Sequence, residues 1–180
     1  RARTETSIGR HTASVSHAAV EMATERLGSL AGRRVLVVGA GEMGEGVAVA
    51  LVGAGATKIT VTNRTEERAM QLAQRVGGAI VPFAALADAL QTADVLLTCA
   101  GSTAPIVDHE LVAAARADAR GPLLIVDIAV PRAVAGDVES LADVTLLNLD
   151  HLRDWAARGL ALRAGEVERV YRIVAEEVER

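Results

Sequence analysis

Apolar residues follow two rhythms along this chain. Short unbroken runs such as "VLVV" and "LLIV" alternate with longer stretches in which apolar positions recur every three or four residues. The first rhythm suits strands buried on both faces, and the second suits amphipathic helices. From Ser14, the residues Val15, Ala18, Ala19, Met22 and Ala23 share one helical face, and Gly28 supplies a stop. Strands are then predicted at 34–38, 58–62, 79–81, 94–99, 123–126 and 144–147. Helices are predicted between them at 42–52, 66–76, 84–90 and 108–115. Strict alternation of this kind implies right-handed crossovers and a parallel sheet covered on both sides. The predicted fold class is therefore α/β, a doubly wound parallel sheet, with one helix before it and a long one after it.

Beyond Asp150 the rhythm changes. Leu160, Ala164, Val167, Tyr171, Val174 and Val178 follow one another at steps of four, three, four, three and four. That spacing predicts a long helix with an apolar seam, its other faces carrying Glu and Arg. Such a helix, reaching the last residue, suggests a piece of a longer chain or a dimer arm; the alternative is a terminal helix folded back on its own domain. Three segments follow: 1–28 as linker and N-terminal helix, 29–150 as the sheet domain, and 151–180 as the start of the long helix.

Composition narrows the function classes. Half of the 180 residues are hydrophobic, mainly Ala, Val and Leu, and the aromatics are Phe83, Trp155 and Tyr171 alone. The net charge is −4, without the basic surplus of a domain that grips a phosphate backbone unaided. Cys99 is the sole cysteine, which excludes an internal disulfide and a thiolate metal cluster. His11, His17, His109 and His151 lack metal-ligand spacing. With no signal peptide and no apolar run of membrane-spanning length, the sequence reads as that of a cytoplasmic protein without membrane or metal partners.

The chemistry concentrates where predicted strands end. Gly39-Ala40-Gly41-Glu42-Met43-Gly44 joins the first strand to the first crossover helix. In a GxGxxG so placed, Gly39 permits the tight turn and Gly41 lets backbone approach a pyrophosphate. Gly44 lets helix and strand pack closely. Free amides at the helix N-terminus then face the phosphates. This is the dinucleotide-binding arrangement of a Rossmann domain.

NAD-selective domains place an acid at the end of the second strand, against the ribose hydroxyls. Here, 24 positions after Gly39, stand Asn63, Arg64 and Thr65. No carboxylate opposes a 2′-phosphate, while a guanidinium and a hydroxyl are present to bind one, so NADPH is the predicted cofactor. Arg64 as a plain loop residue and Thr65 as a helix cap is the competing reading.

Thr98, Cys99 and Ala100, at the end of the fourth strand, are expected to line the nicotinamide side. Cys99 lacks a histidine placed to activate it and is not assigned as a nucleophile. Asp127 at the fifth strand's end is a further cofactor candidate, or else a brace for its own loop. No catalytic residue is assigned in this chain.

Several stretches together resemble glutamyl-tRNA reductase: "RTETSIGR", "SVSHAAVEMA", "VLVVGAGEMGEGVA", "ITVTNRTEERAMQLA" and "LLIVDIAVPRAV", in that order. The glycine turn with "NRT" also occurs in shikimate dehydrogenase, whereas "DIAVPR" joined to "SVSHAAVE" is more discriminating. The resemblance implies an enzyme of tetrapyrrole (porphyrin, heme) biosynthesis that reduces glutamyl-tRNA to glutamate-1-semialdehyde. It implies a thioester on a cysteine of an upstream domain, hydride from NADPH, and a spinal helix leading to a dimerisation domain. By that resemblance this chain is the NADPH-binding domain, the nucleophile and dimerisation domains lie outside it, and the full-length protein is a homodimer acting on glutamyl-tRNA. Two alternatives remain. One is a shikimate-dehydrogenase-like reductase, which would need a Lys/Asp pair while Lys58 lies on a strand. The other is a non-catalytic NADP(H)-sensing module.

Overall fold

A computed structural model gives the fold; it describes residues 15–119 and 121–159. In chain order the elements are α1 (Val15–Leu27), β1 (Arg34–Val38), α2 (Glu42–Gly53), β2 (Lys58–Thr62), α3 (Glu66–Val76) and β3 (Ala79–Ile80). A single 3₁₀ turn (Phe83–Ala85) leads into α4 (Leu86–Thr92), followed by β4 (Val95–Thr98), α5 (His109–Arg116) and β5 (Leu123–Asp127). A second 3₁₀ segment (Gly136–Ser140) precedes β6 (Val144–Asn148), and a further helix, α6, runs over 149–159.

All six strands are parallel, in the order β3-β2-β1-β4-β5-β6. The chain leaves β1 toward one edge and returns to build the other half from β4. The strand order therefore reverses between β1 and β4, and a crevice opens above their carboxyl ends.

Successive side chains of a strand point to opposite faces, which divides the core in two. Val35, Val37, Ile59, Val61, Leu97 and Val126 pack under α1, α2 and α3. Leu36, Val38, Leu96, Ile125 and Leu146 pack under α4, α5 and the second 3₁₀ segment. Leu97 is fully buried; its truncation to alanine would cost about 2–5 kcal/mol.

Boundaries expected at 28/29 and 150/151 are not breaks in packing. Ala18, Ala19, Met22 and Ala23 of α1 are buried in the same core as the sheet, together with Leu152 and Trp155 of α6. The Trp155 indole donates to Glu25 at 2.8 Å, tying α6 to α1. Asn148 starts α6 by accepting from the amides of Asp150 and His151 at 2.9 and 3.3 Å, the usual task of an N-cap amide. The predicted seam from Leu160 to Val178, and the segment containing His11 and "RTETSIGR", lie outside the described residues.

Candidate functional site

The glycine turn sits at the strand-order reversal. Gly39 has φ +113°, and a Cβ there would stand 2.8 Å from the Ala100 amide nitrogen. This glycine is therefore required twice, by its backbone angle and by the loop from β4 that crosses it. A Cβ on Gly44 would run into the Gly39 carbonyl oxygen, so α2 lies directly against the turn. Gly41 differs from both. Its backbone is extended at φ −87°, it is the N-cap of α2, and a Cβ there would meet nothing within 4 Å.

No fold constraint thus explains a glycine at 41. The space beside it remains open, and no side chain caps the helix, so the first amides of α2, from Glu42, Met43 and Gly44, face that space without a capping partner. Glu45, which would repel an anion, is paired to Arg75 at 2.7 Å.

Asn63 braces this turn against the end of β2. Its side-chain oxygen accepts from the Ala40 amide at 3.2 Å, and its amide donates to the Thr65 carbonyl at 2.9 Å. Thr65 occupies the N-cap position of α3, yet its hydroxyl makes no cap hydrogen bond. Being exposed, that hydroxyl is open to a ligand. Arg64 reaches across the crevice, donating from Nη2 to the Ser102 hydroxyl at 2.9 Å, with its guanidinium 5.9 Å from the centre of the Phe83 ring.

Two adjoining cavities share Arg68. One, of about 140 Å³, is lined by Val38, Phe83, Ala100 and Ile106 among others, with Arg64 and Thr65 at its rim. The other, of about 250 Å³, runs past Ala40, Gly41 and Glu42. Arg68 makes no ion pair among the described residues. It stands in the first turn of α3. Both it and Arg64 line the smaller cavity.

Thr98 and Asp127, expected to contact cofactor, lie beneath the crevice floor, and neither is more than 2% exposed. The Thr98 hydroxyl donates to Asp127 at 2.7 Å. The Asp127 carboxylate also accepts from the amides of Ala129, Ala133 and Val134 at 3.0–3.1 Å. Of the two roles open to Asp127 in the sequence, the brace is the one its hydrogen bonds serve. Both side chains are engaged with each other and with the loops that border the site.

Cys99 continues the β1–β4 ladder, its amide donating to the Val38 carbonyl at 2.8 Å. Burial, followed by the charge of Asp127, pushes its thiol up to about 12. A thiol held protonated in this way is a poor nucleophile. Lys58 begins β2, at the sheet edge opposite the crevice, so it does not join a substrate-handling pair there. Among the described residues no cluster of His, Cys, Asp or Glu could hold a metal, and no helix is long and apolar enough to cross a membrane.

A family model described as Shikimate / quinate 5-dehydrogenase matches residues 21–155. Along its whole length the chain is also similar to curated glutamyl-tRNA reductases. It is 43% identical to that of Methanopyrus kandleri, covering 99% of this chain and 45% of the relative. It is 44% identical to that of Myxococcus xanthus, covering 100% and 41%. The chain thus spans less than half the length of these relatives. The solved structure of the Methanopyrus kandleri enzyme superposes with a TM-score of 0.86 at 42% identity, over 98% of this chain and 45% of that one. The nucleotide-binding domain of the Thermoplasma volcanium reductase superposes at 0.65 and 18% identity, over 86% and 99%, a likeness of fold. With its glycine turn and six-stranded parallel sheet, the chain belongs to the shikimate / quinate 5-dehydrogenase family, and along its whole length it is similar to less than half of each of these glutamyl-tRNA reductases.

Proposed function

We propose that this chain is the NADPH-binding portion of a glutamyl-tRNA reductase. The observation that carries the reading is the open space at Gly41, set between two glycines that the fold itself requires, with unneutralised guanidinium groups at the adenosine end. The first amides of α2 hold the diphosphate. Arg64, Thr65 and Arg68 take the 2′-phosphate, by charge and by the free hydroxyl. Asn63 keeps the two loops in register. Cys99 and Ala100 border the nicotinamide side, on a floor fixed by Thr98 and Asp127.

When bound, NADPH supplies the hydride for reducing tRNA-bound glutamate to glutamate-1-semialdehyde. By the resemblance, the thioester that hydride reduces forms on a cysteine outside this chain, and the buried Cys99 thiol is a poor nucleophile for that step. In this reading residues 29–150 provide the nucleotide site, and α1 and the C-terminal helix connect it to the rest of a cytoplasmic homodimer. The missing carboxylate after β2 favours NADPH over NADH.

A chimera tests this. Placing these 180 residues in the corresponding segment of the Methanopyrus kandleri enzyme should restore glutamyl-tRNA-dependent consumption of NADPH. A folded chimera that consumes NADPH with shikimate-type substrates, or not at all, contradicts the proposal.

A further inference from the structure

Arg64 differs from four other arginines of the fold in how it is held. Arg34, Arg75, Arg132 and Arg153 each lie against a carboxylate, at 2.7–3.3 Å. Arg64 is held only by neutral groups, the Ser102 hydroxyl at 2.9 Å and the face of Phe83 at 5.9 Å. These come from two other parts of the chain, the loop after β4 and the 3₁₀ turn after β3. A guanidinium fixed in this way keeps its full charge and most of its five N–H donors for an incoming anion. A carboxylate in place of Ser102 would neutralise it, while a free side chain would lose rotamer freedom on binding.

We propose that Ser102 and Phe83 are positioning residues that set the preference for a 2′-phosphorylated nucleotide by holding Arg64 ready across the crevice. The proposal rests on the NADPH reading above. It adds two residues, neither adjacent to the glycine turn in sequence, whose effect should appear only when the 2′-phosphate is present. Phe83 acts through its ring face, which attracts a cation without cancelling its charge. Ser102 acts through its hydroxyl oxygen, which accepts one N–H and leaves the others free.

The probes are 2′,5′-ADP and 5′-AMP, titrated calorimetrically into the 180-residue chain and its variants. Unaltered protein should bind 2′,5′-ADP more tightly than 5′-AMP. Ser102→Ala should weaken 2′,5′-ADP by roughly 3- to 10-fold, the worth of one net hydrogen bond, and change 5′-AMP less than about twofold. Ser102→Thr should restore the affinity, because it returns the hydroxyl. Phe83→Leu keeps an apolar side chain but no ring, and should cost roughly 2- to 5-fold for 2′,5′-ADP alone.

Equal losses for both ligands would overturn the proposal, since they would mean that Ser102 and Phe83 only shape the pocket. Unchanged 2′,5′-ADP binding in Ser102→Ala would overturn it as well. If the unaltered chain itself shows no preference between the two ligands, the NADPH reading falls first and this proposal with it. That result is told apart from the others because it appears before any substitution is made.

Discussion

Replacing Gly41 with valine separates what the fold needs from what the ligand needs. Gly41 has an extended backbone that any residue adopts, and its Cβ would enter space with no protein atom within 4 Å. The stability cost is then only the poorer helix cap, about 0.5–1 kcal/mol, or a fall in Tm of roughly 1–4 °C for a domain of this size. For the nucleotide the same space is occupied. A valine there denies the diphosphate its approach to the α2 amides. Losing two charge-assisted hydrogen bonds at about 1.5–3 kcal/mol each lowers affinity at least about a hundredfold. Gly44→Ala is the matched control: its Cβ meets the Gly39 carbonyl, and such overpacking costs about 1–3 kcal/mol, roughly 2–12 °C in Tm. Thermal melts and calorimetric titration with NADPH, run on the same samples, read both effects. A Gly41→Val protein that binds NADPH normally, or melts as early as Gly44→Ala, would refute the reasoning.

Other expectations follow from the same geometry. Arg64→Ala should weaken NADPH by about 1.5–3 kcal/mol and leave NADH nearly unchanged; equal losses by titration would contradict its role. Asp127→Ala leaves the Thr98 hydroxyl and three buried amides without their acceptor. Urea unfolding should show a loss of about 3–5 kcal/mol, and a loss under about 1 kcal/mol would mean that the brace is dispensable. Cys99, with its thiol pushed up to about 12, should react with iodoacetamide at pH 8 about a thousandfold more slowly than a free thiol. The sign of the linked stability change is fixed. The unfolded thiol loses its proton from about pH 9 upward while the folded one keeps it, so this contribution is present below pH 9 and is lost as pH rises toward 12. Cys99→Ala should reduce that alkaline loss, and an unchanged pH profile would contradict the burial argument.

The sheet was readable because its strands declare themselves. "VLVV" and "LLIV" are apolar on both faces, and only a strand covered by helices on each side tolerates that composition. Gly39 and Gly44 were legible in their fixed offsets, and Arg64 in the missing acid after β2. What periodicity could not report was partnership between segments far apart in sequence. Phe83 meets Arg64 because β3 lies beside β2, and Ser102 meets it from across the strand-order reversal; neither stands in a motif. The inward turn of Thr98, and the choice between the two roles open to Asp127, depend on tertiary neighbours as well. Strand ends point toward a ligand in such folds, but a polar side chain there can equally turn inward to satisfy buried loop amides. The N-cap role of Asn148, and the packing of α1 and α6 into one core, likewise depend on tertiary neighbours. The Trp155–Glu25 hydrogen bond is one specific contact at that junction.

The most direct measurement is a pair of calorimetric titrations of the folded 180-residue chain, one with NADPH and one with NADH. The account predicts saturable heat with NADPH and an affinity for NADH at least about tenfold weaker, the worth of one charged contact to the 2′-phosphate. No heat with either coenzyme, or equal affinity for both, would contradict it.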